Sequence, residues 1–155
     1  MRNKSMNTLQ KDVRVSDLMQ KEVVTISDYA TVRDAATKMR DKDVGSVVIV
    51  KENQGIGIIT DRDIVVRVVS SMKDPEMVLV KEIMSHDIIS ISPDATINDA
   101  ANLMVKHSIK KLPVRDKKGN LAGILTYTDL LRAYPGYVEV LKEIVLAGTG
   151  GDTHL

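Results

Sequence analysis

Ala30-Thr31-Val32-Arg33-Asp34-Ala35-Ala36 is answered 65 positions later (30 to 95) by Ala95-Thr96-Ile97-Asn98-Asp99-Ala100-Ala101. Each stretch opens on a Thr with an Asp three residues on, the pattern of a helix N-cap whose acid returns the bond. Apolar residues then recur at i, i+3, i+4 and i+7, as Val32, Ala35, Ala36 and Met39 and again as Ile97, Ala100, Ala101 and Met104. That is one face of a helix, met twice. The echo extends outward on both sides. Val15-Ser16-Asp17-Leu18-Met19 returns as Val80-Lys81-Glu82-Ile83-Met84, and Thr25-Ile26-Ser27 as Ser90-Ile91-Ser92. Gly57-Ile58-Ile59-Thr60 matches Gly123-Ile124-Leu125-Thr126 at an offset of 66 (57 to 123), one residue having slipped in between. Register held over so long a stretch marks a tandem duplication.

Each copy reads as strand, helix, strand, strand, helix. After the capped helix come the apolar runs Val47 to Val50 and Leu112 to Val114, then polar turns at 51–55 and 116–120. The runs Gly57 to Ile59 and Leu121 to Leu125 follow, so a pair of short strands across a turn is expected in each copy. A second helix starts from about Asp61 and about Thr128. The expected division is an N-terminal segment over 1–12, repeat 1 over 13–72, repeat 2 over 78–134, and a C-terminal helix with a flexible tail over 137–155. Lys73-Asp74-Pro75-Glu76 is the expected joint. A copy of roughly 60 residues buries only about 60% of its chain surface alone, so each sheet needs the other as a cover.

Composition narrows the functional classes. The 155 residues have room for one ordinary domain or two very small ones, and 43% hydrophobic residues suffice for a core. A balance of 22 Lys+Arg against 21 Asp+Glu lacks the basic excess of a general nucleic-acid binder. Aromatic residues are 3%, without Phe or Trp, which argues against base-stacking platforms. With no cysteine there is no disulfide, no thiolate metal site and no thiol nucleophile. No run approaches about 18 apolar residues, and the opening MRNKSMNTLQK has no apolar signal segment. A cytoplasmic protein with no membrane partner is the expectation.

Chemistry concentrates in Gly57-Ile58-Ile59-Thr60-Asp61-Arg62-Asp63 and Gly123-Ile124-Leu125-Thr126-Tyr127-Thr128-Asp129. Each runs a strand through a Thr into a helix and places an acid three residues later. One reading is structural, a capping box with Asp in place of Glu. The other uses the same atoms for a ligand. Backbone N–H groups at a helix start favour a phosphate, the Thr hydroxyl adds a hydrogen bond, and a first-turn carboxylate accepts the hydroxyls of a ribose. Arg62 adjoins the candidate phosphate side, but an exposed first-turn Arg reads equally well as solvated. His86, His107 and His154 lack metal-ligand spacing. No nucleophile elbow, phosphate-cradling lysine loop or catalytic carboxylate pair occurs, so no enzyme activity and no cofactor are expected.

The chain resembles a pair of CBS domains, named after cystathionine β-synthase, on Ala30 to Met39, Ala95 to Met104 and the run Lys110-Lys111-Leu112-Pro113-Val114 through Gly123-Ile124-Leu125-Thr126 to Asp129-Leu130. The resemblance covers about residues 13 to 133. It implies an α/β fold of two β-α-β-β-α repeats packed sheet to sheet about a pseudo-twofold axis. It also implies a regulatory module that binds AMP, ADP, ATP or S-adenosylmethionine in two clefts between the repeats. On the resemblance, Asp63 and Asp129 match the ribose acids, and Thr60 and Thr126 the phosphate-side hydroxyls. The opening strand of the opposite repeat lines the base pocket, which points to Ile88, Ile89 and Ser90 for one cleft and to Val23, Val24 and Thr25 for the other. Lys110 stands at a position that is often basic and meets phosphate, whereas the first repeat has Gly45, so the clefts should differ toward charged phosphates. Where the second repeat has the typical Leu112-Pro113, the first has Val47-Val48, a departure expected to change a strand end. A structural interaction module with empty clefts is the alternative.

A homodimer is expected as well. Ile64, Val65, Val66, Val68 and Val69 exceed what one helix face can bury against its own sheet, and an apolar remainder marks a contact surface. The stripe of Tyr137, Val140, Leu141 and Ile144 is the competing cover for that patch.

Overall fold

A computed structural model describes residues 13–86 and 88–147. The N-terminal segment 1–12, the tail 148–155 and His154 lie outside the described residues. The fold is mixed α/β and divides into two compact units. One comprises Glu22–Ile89 with Gly119–Leu121. The other takes the chain up to Lys21, Ser90–Lys118, and the chain from Ala122 on.

The first unit holds β1 (Thr25–Ser27), α2 (Val32–Lys42), β2 (Ser46–Lys51), β3 (Gln54–Thr60), α3 (Asp61–Ile64) and α4 (Val80–Ile83), with α1 (Val15–Leu18) belonging to the other unit. Its sheet has the order β1-β2-β3. β1 runs parallel to β2 with Thr25 opposite Val48, and β2 pairs antiparallel with β3 from Ser46–Thr60 to Lys51–Gln54. Glu52 and Asn53 make the turn, both left-handed at φ 50 and 64, which suits the right-handed twist of a hairpin. The turn is thus tighter than the five polar residues suggest. Thr31 caps α2: its Oγ1 accepts the Asp34 N–H at 3.1 Å, and the Thr31 N–H donates to Asp34 Oδ2 at 2.9 Å. Those bonds, the backbone one foremost, hold the Asp34 carboxyl below its ordinary range. Val32, Ala35 and Met39 pack with Ile26, Val47, Ile49, Ile59, Val68, Val80, Ile83 and Met84 into one core. Ala36, expected on the same face, is exposed.

After Ile64 the helix continues through Val65–Val69 with wider turns, Ser70 N–H reaching Val65 O (2.9 Å) and Lys73 N–H reaching Val68 O (3.0 Å). Val68 alone of the five apolar residues is fully buried. Val65, Val66 and Val69 are 56, 39 and 63% exposed.

The second unit holds α1, α5 (Ile97–His107), β4 (Lys111–Arg115), β5 (Leu121–Thr126), α6 (Tyr127–Ala133), a single turn at Pro135–Tyr137 and α7 (Val138–Ala147). Ile97, Ala100, Ala101 and Met104 are all buried here, as the period requires. The opening strand expected at 90–92 is reduced to one bridge, Ile91 with Val114. Two prolines explain this. In the first copy the Val48 N–H donates to Val24 O (3.0 Å) and the Asp28 N–H to Val50 O (3.2 Å). The equivalent positions are Pro113 and Pro93, which have no N–H to give. Only Ile91 N–H to Pro113 O and Arg115 N–H to Ile91 O, both 3.0 Å, remain. The strand change therefore falls in the copy with Leu112-Pro113.

Part of the stripe after Pro135 is used inside this unit, whereas Val140, expected on the same face, is 44% exposed. Tyr137 and Leu141 are buried, α7 packs on α5, and the Tyr137 hydroxyl bonds Asn98 Oδ1. Desolvation raises the Tyr137 pKa, with Tyr134 adding to the effect.

The echoed Val-x-x-x-Met segments, with no element assigned in advance, are the short helices α1 and α4. Each lies in the unit of the other copy's strand pair. Met84 sits so close to Gly57 that a Cβ there would come within 2.2 Å of its sulfur. Met19 and the Gln20 carbonyl sit on Gly123, both 2.8 Å from a Cβ built there. Glycine at both places permits this approach of neighbouring atoms, which would have to shift to admit a Cβ.

Candidate ligand-binding turns

Both Thr–Asp turns are closed capping boxes. Thr60 leaves β3 extended (φ −110, ψ 161). Its Oγ1 accepts the Asp63 N–H at 3.1 Å, while its own N–H and O–H donate to Asp63 Oδ2 at 2.9 and 3.0 Å. Thr126 repeats the geometry (φ −108, ψ 157), with Asp129 N–H to Thr126 Oγ1 at 3.2 Å and Thr126 N–H and O–H to Asp129 Oδ2 at 2.9 and 2.8 Å. In each turn one carboxylate oxygen belongs to the cap and the other, Oδ1, faces away from it.

The surroundings of Oδ1 differ. Arg67 Nε stands 3.8 Å from Asp63 Oδ1, an ion pair one helical turn apart, with the side chains 38 and 18% exposed. The Arg67 guanidinium also donates to the Ile83 carbonyl at 2.5 Å. Asp129 Oδ1 instead accepts the Gln20 amide at 3.0 Å, with Oδ2 at 3.3 Å from the same nitrogen. Gln20 is placed by two main-chain bonds to β5, its N–H to Ile124 O (2.8 Å) and Ile124 N–H to its O (3.0 Å). Sequence reasoning overlooked both Gln20 and Arg67. Gln20 directly follows the echoed Met19, and Arg67 lies at i+4 from Asp63; these were the available signals.

The helix starts differ too. The Asp61 N–H donates to Gly45 O at 3.0 Å, as the Tyr127 N–H does to Lys110 O at 2.9 Å. In the first copy Asp61 Oδ1 also accepts the Arg62 N–H at 2.8 Å. Asp61, Arg62 and Asp63 thus all have main-chain N–H partners, which corrects the expectation of unoccupied donors for an anion at that helix start. A tyrosine occupies the equivalent position in the second copy. The Asp61 carboxylate lies against Gly45, 3.3 Å from a Cβ built there.

The remaining candidates fall as follows. Ile88 and Ile89 belong to the unit of Thr60 and Asp63; Ser90 and Lys110 belong to the unit of Thr126 and Asp129. All four are half-buried. Val23, Val24 and Thr25 are half-buried in the first unit, where Val24 packs on its core and Thr25 O accepts the Lys38 ammonium at 2.6 Å. Arg62 is exposed. Among the described residues no three metal-ligating side chains gather, and no helix is long and apolar enough to cross a membrane.

The family model for the CBS domain matches residues 15–70 and again 80–136. The chain belongs to the CBS domain family. Its two repeats and mixed α/β architecture match those of solved CBS domain pairs. Uncharacterized protein MK0525 of Methanopyrus kandleri is 41% identical over 134 residues, 86% of this chain and 68% of that one. The CBS domain protein PAE2072 from Pyrobaculum aerophilum, solved in complex with AMP, superposes with a TM-score of 0.74 at 26% identity, covering 84% of this chain and 99% of that one. The CBS domain pair of protein MJ0100, solved with 5-methylthioadenosine and S-adenosyl-L-methionine, gives a TM-score of 0.71 at 27% identity, covering 80 and 97%.

Proposed function

We propose that this CBS pair is a cytoplasmic, non-catalytic regulatory module that binds an adenosine-containing ligand at its Thr–Asp turns. The observation that carries the reading is the outward Oδ1 of Asp63 and of Asp129, each held by a cap that already satisfies Oδ2. A carboxylate fixed in this way is preorganised to accept ribose hydroxyls. The AMP complex of the Pyrobaculum aerophilum protein and the methylthioadenosine and S-adenosylmethionine complex of protein MJ0100 support the ligand class. Thr60 and Thr126 spend their hydroxyl protons on Asp63 and Asp129. Each hydroxyl can rotate from Oδ2 of its acid to donate to a phosphate oxygen instead. Ile88, Ile89 and Ser90, and Val23, Val24 and Thr25, are assigned to the adenine, with Lys110 and Arg62 on the phosphate side. No resident cofactor is invoked; the nucleotide is the signal. It regulates by binding one arrangement of the module better than another, and only that difference can reach a partner. The exposed Val65, Val66 and Val69 are assigned to a homodimer contact.

A structural module without ligand is the second reading. It is favoured by the saturated cap at Thr60 and by the Asp61 carboxylate on the Arg62 N–H. Calorimetry with AMP, ATP and S-adenosylmethionine separates the two. On the ligand reading, Asp63→Ala and Asp129→Ala each weaken binding at their own turn by about 1.5–3 kcal/mol. Unchanged binding in both variants leaves the turns as caps only.

A further inference from the structure

We propose that Gln20 sets the binding threshold of the Asp129 turn, so that a ribose-bearing ligand fills the Asp63 turn first. The inference rests on the reading of both turns as ribose sites and adds an order of filling and the residue that imposes it. A carboxylate offers about four acceptor positions. In both turns the Thr N–H and O–H take those of Oδ2. A vicinal diol must therefore begin at Oδ1. At Asp129 that oxygen already accepts the Gln20 amide at 3.0 Å. At Asp63 the facing group is Arg67 Nε at 3.8 Å, beyond hydrogen-bond distance. The arginine attracts and orients the acid without filling its lone pairs. Both hydroxyls of the diol can join Asp63 Oδ1 directly, but at Asp129 Gln20 leaves one position on Oδ1, so the second hydroxyl must displace the amide.

That amide is a persistent competitor because its main chain is tied to β5 by two bonds at Ile124, two residues before Thr126. It is part of the same folded unit as the acid and so competes at any ligand concentration.

The duplication shows that this guard is particular to one copy. Ser85 is the equivalent of Gln20, and it makes the same main-chain pair with Ile58, at 3.1 and 3.4 Å. Its hydroxymethyl is too short to carry an amide to Asp63. Ala133 occupies the position equivalent to Arg67 and has no charge to offer Asp129. Each acid thus has a guard that its counterpart lacks, one neutral and hydrogen-bonded, the other cationic and at longer range.

Adenosine is the probe, since it has the diol and no phosphate, which leaves Lys110 out of the comparison. Calorimetry on the full chain carrying Asp63→Ala reads the Asp129 turn alone, and adding Gln20→Ala should tighten that binding by about two- to tenfold. In the Asp129→Ala chain, Ser85→Gln should weaken the Asp63 turn by a similar factor. In the unaltered chain, the Gln20 side-chain amide resonances should shift only as the weaker site saturates, a readout that needs no variant. The proposal is overturned if Gln20→Ala leaves the Asp129 turn unchanged or weakens it, or if the amide resonances stay still through saturation. Those results leave the ribose reading standing so long as Asp129→Ala still removes a site. If adenosine, AMP and S-adenosylmethionine all fail to bind the unaltered chain, the ribose reading falls and this inference falls with it.

Discussion

The two Thr–Asp turns agree in every cap bond to within 0.2 Å, yet they present different groups to the acid's second oxygen, Arg67 in one and Gln20 in the other. The cap is dictated by the main chain. A strand that ends at a helix start leaves N–H groups that must be paired, and a Thr with an Asp three residues later pairs them. What faces Oδ1 is under no such obligation, and there the copies differ in charge and reach. The same division runs through the rest of each copy. The capped helices and the strand pairs recur, while the opening strand is lost where Pro93 and Pro113 remove its donors.

The largest expected difference between the copies lies on their flanks. Val65 and Val69 are 56 and 63% exposed in the first copy, whereas α7 packs on α5 in the second unit, with Tyr137 and Leu141 buried there. Val65→Asp combined with Val69→Asp should abolish a homodimer, since each valine buried in such a contact is worth about 1.5 kcal/mol or more. Light scattering should then fall from twice 17.1 kDa to 17.1 kDa. Val138→Asp, on the exposed side of α7, should leave the mass unchanged. Dissociation by Val138→Asp instead would move the contact to the other copy.

Gly57 and Gly123, both buried, sharpen the comparison at a smaller scale. At Gly123 a methyl group meets the Gln20 carbonyl as well as the Met19 sulfur, and main chain held by the Ile124 pair cannot easily yield. At Gly57 the three nearest atoms all belong to the Met84 side chain, whose sulfur and Cγ can swing away by a rotamer change while its Cβ stays in tight contact. Gly123→Ala should cost about 3 kcal/mol and Gly57→Ala about 1 kcal/mol in chemical denaturation. Equal costs would mean that α1 and α4 are held with the same rigidity.

The smallest effect concerns phosphate charge. Lys110 has Gly45 as its counterpart, and the Asp61 carboxylate lies against that glycine. Lys110→Ala should narrow the difference between ATP and adenosine by about 1 kcal/mol, an effect that fades as salt is added. An unchanged preference and an unchanged salt dependence would remove Lys110 from the phosphate side.

Much of this was open to reading along the chain. The duplication, the Thr31 and Thr96 caps, the hairpin runs and the Thr60–Asp63 and Thr126–Asp129 pairs are local patterns, each set by neighbours within a few positions. Ala36 shows the limit of such reading, because a residue at the edge of an apolar stripe is buried or exposed according to what packs against the helix. The excess of valines after Ile64 was legible as an apolar surplus. Which of them face outward depends on the widened turns of that helix, which shift the register of its faces.

Local chemistry along the sequence was enough to determine two copies of one capped, hairpin-bearing frame, because caps, turns and amphipathic periods are short-range devices. Only the tertiary structure decided which opening segment lies on which strand pair, with Met84 on Gly57 and Met19 on Gly123, and so what confronts each acid. The Gln20 amide reaches Asp129 across 109 positions of chain. No pattern of neighbours encodes such a contact. It exists because a glycine without a side chain lets α1 approach β5 closely enough for the next residue to reach the turn.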